Sequence, residues 1–156
     1  MPTHYAGTPD EVRALNTWIK LTRAEESVNA RIWRRGTIED LTPTQFAVLE
    51  ALHHLGSMCQ RAIGDKILKS SGNITLVIDN LNKRGFVRRD QDPDDRRMEI
   101  VSLTPAGEEM IARIMPRHVA AIVDEMNVLT PEEQETFAGL CVRLGKHQTR
   151  GEDHPD

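Results

Sequence analysis

At 156 residues, 38% of them hydrophobic and 28% charged, the chain is long enough to bury one core and too apolar to stay disordered. It has no run of about 18 apolar residues and no basic-then-apolar stretch after Met1-Pro2-Thr3-His4-Tyr5, so a cytoplasmic protein without a membrane span is expected, and two distant cysteines, Cys59 and Cys141, argue against a disulfide framework. The net charge of -4 disfavours a polyanion partner only until it is divided: nine basic residues face six aspartates between Arg61 and Arg97, so that segment is +3 and the remainder -7.

Four threonine–proline pairs, Thr8-Pro9, Thr42-Pro43, Thr104-Pro105 and Thr130-Pro131, each place an N-cap hydroxyl before a proline at the first helical position. Glu11, Gln45 and Glu133 complete capping boxes at three of them, and Leu41 with Phe46 has the spacing of a hydrophobic staple. A first helix is therefore expected from Pro9 to Arg34, ending before Gly36, and a second from Pro43 to His54, ending before Gly56.

Next come two short helical patterns and a hairpin. Arg61 to Leu68 carries Ala62, Ile63 and Ile67 as a small apolar face; Lys69 makes a turn; Ser70 caps a helix to Arg84 whose core stripe is Ile74, Ile78 and Leu81, stopped by Gly85. Phe86 to Arg89 and Met98 to Leu103 read as strands joined by Asp92-Pro93-Asp94-Asp95, with Arg96-Arg97 beside the tip. This order is helix, turn, helix, wing. A helix from Pro105 follows, with Pro116 expected to kink it, and a last one carries Phe137, Leu140, Cys141 and Leu144 on one stripe to Gly145; the tail from Thr149 is polar.

The chemistry of this block points to DNA. If Ile74, Ile78 and Leu81 face inward, Ser71, Gly72, Asn73, Thr75, Leu76 and Asn80 face outward. They form a small hydrogen-bonding surface on which an Asn can pair with adenine and a Leu can touch a thymine methyl. The helix start and Lys69, Ser70, Lys83, Arg84 and Arg88 supply contacts to phosphates. One of Arg96 and Arg97 suits the narrow minor groove while Asp95 holds the other by a bidentate contact; spacing does not say which. Solvated structural roles for the same residues are the bland alternative, and so is a winged helix used only for protein contacts.

Enzyme signatures are missing: no G-x-S-x-G, no H-E-x-x-H, no phosphate-cradling glycine loop, no zinc-spaced Cys/His set. His53-His54 is merely adjacent, with the two rings expected on different helical faces, so neither a metal nor another cofactor is expected.

Ser70-Gly72-Asn73-Ile74-Thr75, Val77-Ile78-Asp79-Asn80-Leu81, Lys83-Arg84-Gly85-Phe86-Val87, the Asp92–Arg97 wing and Leu103-Thr104-Pro105-Ala106-Gly107 resemble the MarR family of bacterial regulators. Lys66 to Asn73 and Pro116-Arg117-His118 are similar to its MhqR-like branch, which senses quinones and phenolics.

The resemblance implies a mainly α fold with a small β-wing (α+β). Residues 1–36 form an N-terminal dimerisation helix, 37–104 a winged helix-turn-helix core and 105–148 C-terminal dimerisation helices, with 149–156 a loose tail. It further implies a homodimeric repressor on a pseudo-palindromic double-stranded operator, released by a small phenolic or quinone-like effector, with Trp18, His53 and His118 as candidate lining residues. The apolar stripes of the terminal helices, Val12, Leu15, Ile19, Val28, Ile32, Ile122, Val123, Met126, Leu140 and Leu144, independently predict packing on a second chain. Trp33 reads as a dimer contact. A thiol-redox switch at Cys59, beside Arg61 and a helix start, is a further alternative.

Overall fold

A computed structural model describes residues 4–67 and 71–146, with only the backbone of Ser71 and Gly72 described. In chain order it contains α1 (Pro9–Arg34), α2 (Pro43–Leu55), β1 (Met58–Cys59), α3 (Gln60–Ile67), α4 (Ser71–Lys83), β2 (Val87–Gln91), β3 (Glu99–Leu103), α5 (Pro105–Met126) and α6 (Pro131–Gly145). The fold is thus mainly α with a small sheet. Contacts divide the chain into two compact units, Met1–Ala121 and Ile122–Asp156.

The threonine–proline pairs start helices because each threonine aims its hydroxyl back at the third helical N–H, with extended backbone at Thr8, Thr42 and Thr130. Thr8, Thr42 and Thr130 close full capping boxes with Glu11, Gln45 and Glu133. At α5 the Thr104 hydroxyl accepts from the Gly107 N–H at 3.1 Å and donates to the Gly85 carbonyl at 2.5 Å, so one side chain caps a helix and anchors the preceding turn. Helix α5 continues through Pro116 as one element.

In the first unit the core gathers Leu49, Ile63, Ile74, Ile78, Leu81, Val101, Ile111 and Ile114, all fully buried, from α2, α3, α4, β3 and α5. Leu41 and Phe46, the residues with staple spacing, both lie in that core. Gly85 stops α4 at φ 76°, a left-handed conformation that glycine adopts without a Cβ penalty. Gly107 lets α5 approach the chain after α4 so closely that a Cβ would collide with the Phe86 carbonyl oxygen.

The sheet order is β1-β3-β2, all antiparallel, with Val87 opposite Leu103 and Gln91 opposite Glu99. Strand β1, two residues pairing Met58 with Val101 and Cys59 with Ile100, was not anticipated from the sequence. It is too short for an alternation signal and exists because β3 offers a free edge. Strand β2 also reaches two residues beyond the expected Arg89, because Asp90 and Gln91 find partners in Ile100 and Glu99.

In the second unit α6 has no buried residue: Phe137, Leu140, Val142 and Leu144 are all exposed. The Gln134 amide donates to the Met126 and Leu129 carbonyls at 3.1 Å each, closing the turn between α5 and α6. Shallow apolar depressions lie on either side of Phe137, one bordered by Thr136 and Leu140 and the other by Met126, Leu129 and Ala138.

Among the described residues no helix is long and apolar enough to cross a membrane.

Candidate nucleic-acid interface

Helix α4 divides as its periodicity requires. Ile74, Ile78 and Leu81 are fully buried and Val77 nearly so, while Asn73, Thr75, Leu76, Asn80 and Lys83 are exposed. Leu76 is 62% exposed, although the same helix has room for apolar side chains on its inner face. A leucine held in water beside two asparagines and a threonine makes a surface that can meet base edges and methyl groups. Lys69 and Ser70 lie outside the described residues, and of Ser71 and Gly72 only the backbone is described.

The wing tip is a turn built by aspartates. The Asp92 carboxylate accepts from the backbone N–H groups of Asp94 at 2.8 Å and Asp95 at 3.4 Å, and the Asp92 N–H donates to the Met98 carbonyl at 2.8 Å. The Asp95 carboxylate accepts from the Arg97 backbone N–H at 3.0 Å, and not from a guanidinium as the expected bidentate contact would require. The reason is reach: a short carboxylate at a turn finds the N–H two residues on before it finds a long side chain. Arg96 and Arg97 are exposed at this tip, and among the described residues neither joins an ion pair. Arg88 is also exposed and lies 2.9 Å from Asp90 on its own strand.

Arg84, expected on a phosphate, is engaged within the fold. Its Nη2 donates to Asp40 at 2.7 Å and its guanidinium lies 4.9 Å from the centre of the Phe86 ring. Neighbouring Glu39, at φ 55°, receives the Arg113 guanidinium on both oxygens at 3.2 and 3.1 Å and Arg117 at 2.9 Å. The hydrogen bond from Arg113 is the main reason the Glu39 carboxyl titrates below its ordinary value. The loop between α1 and α2 is thereby tied to α5 through Glu39 and to the end of α4 through Asp40. Sequence spacing held no sign of this, since the partners stand 44 to 78 residues apart.

The three candidate effector residues are placed differently from one another. Trp18 is 61% exposed on α1. His53 pairs through Nδ1 with Glu108 at 2.9 Å and meets the His54 ring edge-on at 5.1 Å, so these adjacent rings converge where different faces were expected. His118 is buried: its ring stacks on Trp33, tilts against Phe46 at 4.5 Å, and its Nδ1 lies 3.0 Å from the Thr37 hydroxyl. Trp33 thus stacks on His118 within its own chain while its indole stays half-buried. Ile32 is likewise buried within its own chain and so leaves the stripe expected to meet a partner. Cys59 is half-buried in β1 and Cys141 exposed on α6. Among the described residues no group of three His, Cys, Asp or Glu side chains could hold a metal ion.

Comparison with known proteins agrees with this geometry. The MarR family model matches residues 41–98, which run from the staple leucine to the turn of the wing. The HTH-type transcriptional regulator YkoM of Bacillus subtilis is 38% identical over 135 residues, covering 86% of this chain and 88% of that protein. The HTH-type transcriptional regulator MhqR of the same organism is 38% identical over 133 residues, covering 85% and 92%. Among solved structures, Bordetella bronchiseptica BpsR, described for the regulation of its DNA binding by 6-hydroxynicotinic acid, superposes with a TM-score of 0.76 at 27% identity, covering 84% of this chain and 99% of that one. These relatives are transcriptional regulators and not enzymes. With a winged helix-turn-helix in place and such relatives over most of its length, the chain belongs to the MarR family of transcriptional regulators.

Proposed function

We propose that the protein is a cytoplasmic, homodimeric repressor that binds a pseudo-palindromic double-stranded operator and leaves it when a small phenolic or quinone-like effector binds. The observation that carries the DNA reading is the exposed Asn73, Thr75, Leu76 and Asn80 face of α4 beside a wing whose tip arginines, Arg96 and Arg97, join no ion pair among the described residues. In this reading α4 lies in the major groove, with Lys69, Ser70, Ser71, Gly72, Lys83 and Arg88 near the phosphates. Arg96 and Arg97 bring the wing to the minor groove, where the negative potential of narrow tracts attracts arginine. Asp95 serves by shaping the turn that carries them.

Two such units need a dimer. The exposed Phe137, Leu140 and Leu144 of α6 offer apolar surface for a second chain. Two reading helices about 34 Å apart then meet successive turns of one face of the duplex. The effector class is supported by BpsR, whose DNA binding is regulated by 6-hydroxynicotinic acid, a hydroxylated aromatic acid. Trp18 and His53, the exposed members of the candidate set, are the accessible ones for such a ring; His118 takes part only if the packing around it opens.

Fluorescence anisotropy against random and palindromic duplexes at two salt concentrations tests the reading. Tighter binding to a palindrome with a steep salt dependence supports it, and no binding even at low salt overturns it. Adding phenols and quinones to the same mixture tests release.

A further inference from the structure

Gln60, the first residue of α3, is half-buried, and its side-chain amide connects α4 and the wing strand, the two elements that are read as facing DNA. Its Nε2 donates to the Thr75 hydroxyl on α4 at 2.5 Å, and its Oε1 accepts from Arg89 Nη2 on strand β2 at 3.4 Å. Arg89 can only donate, so it dictates that the carbonyl end of the amide faces β2 and the NH2 end faces Thr75. Arg89 is itself fixed: its Nη1 pairs with Asp79 of α4 at 2.8 Å, and its Nε is buried without an acceptor. The guanidinium therefore lies between α4 and the wing strand in a setting where any rotation leaves more donors unpaired.

We infer that Gln60 is a positioning residue for sequence discrimination, holding the Thr75 hydroxyl of the reading helix in one orientation and registering that helix against the wing through Arg89. Thr75 is exposed, and a helical threonine has two χ1 rotamers open to it, of which a fixed donor beside the hydroxyl favours one. The Gln60 NH2 selects the rotamer in which the hydroxyl points toward α3, which turns the Thr75 methyl to the opposite side. A base edge then meets a single arrangement of polar and apolar atoms instead of an average of several, and the difference between a right and a wrong base pair grows. Gln60 supplies no charge, so it adds nothing to the attraction for phosphates that any sequence would share.

This assignment rests on α4 being the base-reading helix, and the experiment separates the two. The probes are the duplex of about 30 base pairs most enriched by the wild-type protein from a random pool, long enough for two half-sites, and a scrambled duplex of the same composition. Each is titrated by anisotropy at two salt concentrations. Gln60→Met keeps the side-chain length and loses both hydrogen bonds. Gln60→Glu keeps the acceptor for Arg89 and loses only the donor to Thr75.

The expected result is that both variants lose about tenfold in the ratio of enriched to scrambled affinity. Gln60→Met should leave scrambled binding and the salt slope close to wild type, with a small drop in melting temperature from the Arg89 donor left unpaired. Thr75→Val should lose a similar ratio, and adding Gln60→Met to it should cost nothing further. A Gln60→Glu ratio equal to wild type overturns the role of the Thr75 contact, as does additivity of Gln60→Met and Thr75→Val. Equal loss on both duplexes in Gln60→Met shows general destabilisation and also overturns it. If the wild type enriches no duplex at all, the DNA-binding reading fails first, and this assignment with it.

Discussion

The imidazole of His118 lies nearly parallel to the indole of Trp33, 14° apart with centroids at 5.3 Å, and joins α5 to the end of α1 inside one chain. Burial is the main cause holding its pKa below the ordinary value of 6.5, opposed by the nearby Glu50 carboxylate. The neutral ring is therefore the folded form. The unfolded chain takes up the proton first as pH falls, so this contribution is whole above about pH 6.5 and is lost between there and the lowered folded value. Melting temperature followed from about pH 7.5 to 5 should drop for the wild type and drop less for His118→Gln. A His118→Gln protein with the same pH slope as wild type would show that the ring does not control it.

Gly107 meets the Phe86 carbonyl oxygen where a Cβ would stand, and that same oxygen accepts from the Thr104 N–H at 3.1 Å. Backbone cannot yield there as a flexible side chain would. Gly107→Ala should cost at least about 1–3 kcal/mol in urea unfolding, although alanine is the better helix former. An unchanged midpoint would mean that α5 shifts freely.

Arginines of the block differ in what their removal should do. Arg97→Ala, at the exposed wing tip, should weaken binding to all duplexes and lower the slope of log affinity against log salt by about one per chain. Arg84→Ala should leave the slope alone and instead cost about 0.5–1 kcal/mol of stability, since Arg84 is held by Asp40 and Phe86 and the pair is partly exposed. Salt titrations of both variants, with urea melts alongside, distinguish the roles. A loss of slope in Arg84→Ala would restore it to the phosphates.

Leu140 is 53% exposed on a helix with no buried residue, between Phe137 and Leu144. If α6 is covered by a second chain, Leu140→Asp buries an unpaired carboxylate and should raise the dimer dissociation constant at least about a hundredfold. Sedimentation velocity across a concentration series measures this. A monomeric wild type at micromolar concentration would remove the dimer from the proposed mechanism.

The order of the helices and the wing, and the helix starts at the threonine–proline pairs, were legible because they depend on local chemistry, whereas β1 was not. A Thr hydroxyl, a Pro ring and a Glu or Gln three residues on act within one helical turn, which is why α1 begins at Pro9 and ends at Arg34 as read from the chain. The buried stripe Ile74, Ile78 and Leu81 was equally readable, since period 3.6 assigns one face to the core and leaves Asn73, Thr75, Leu76 and Asn80 to the other. What only the tertiary structure decided was the partner of each polar side chain. Asp95 bonds a backbone N–H and not an arginine, Arg84 turns to Asp40, His118 goes under Trp33, and Gln60 reaches both Thr75 and Arg89. Long polar side chains choose among acceptors brought close by the packing of distant segments, and sequence separation carries no record of that choice. The amino-acid sequence alone determined that a helix with a polar outer face and a wing exist; the fold decided which of their side chains stay exposed and which tie one element to another.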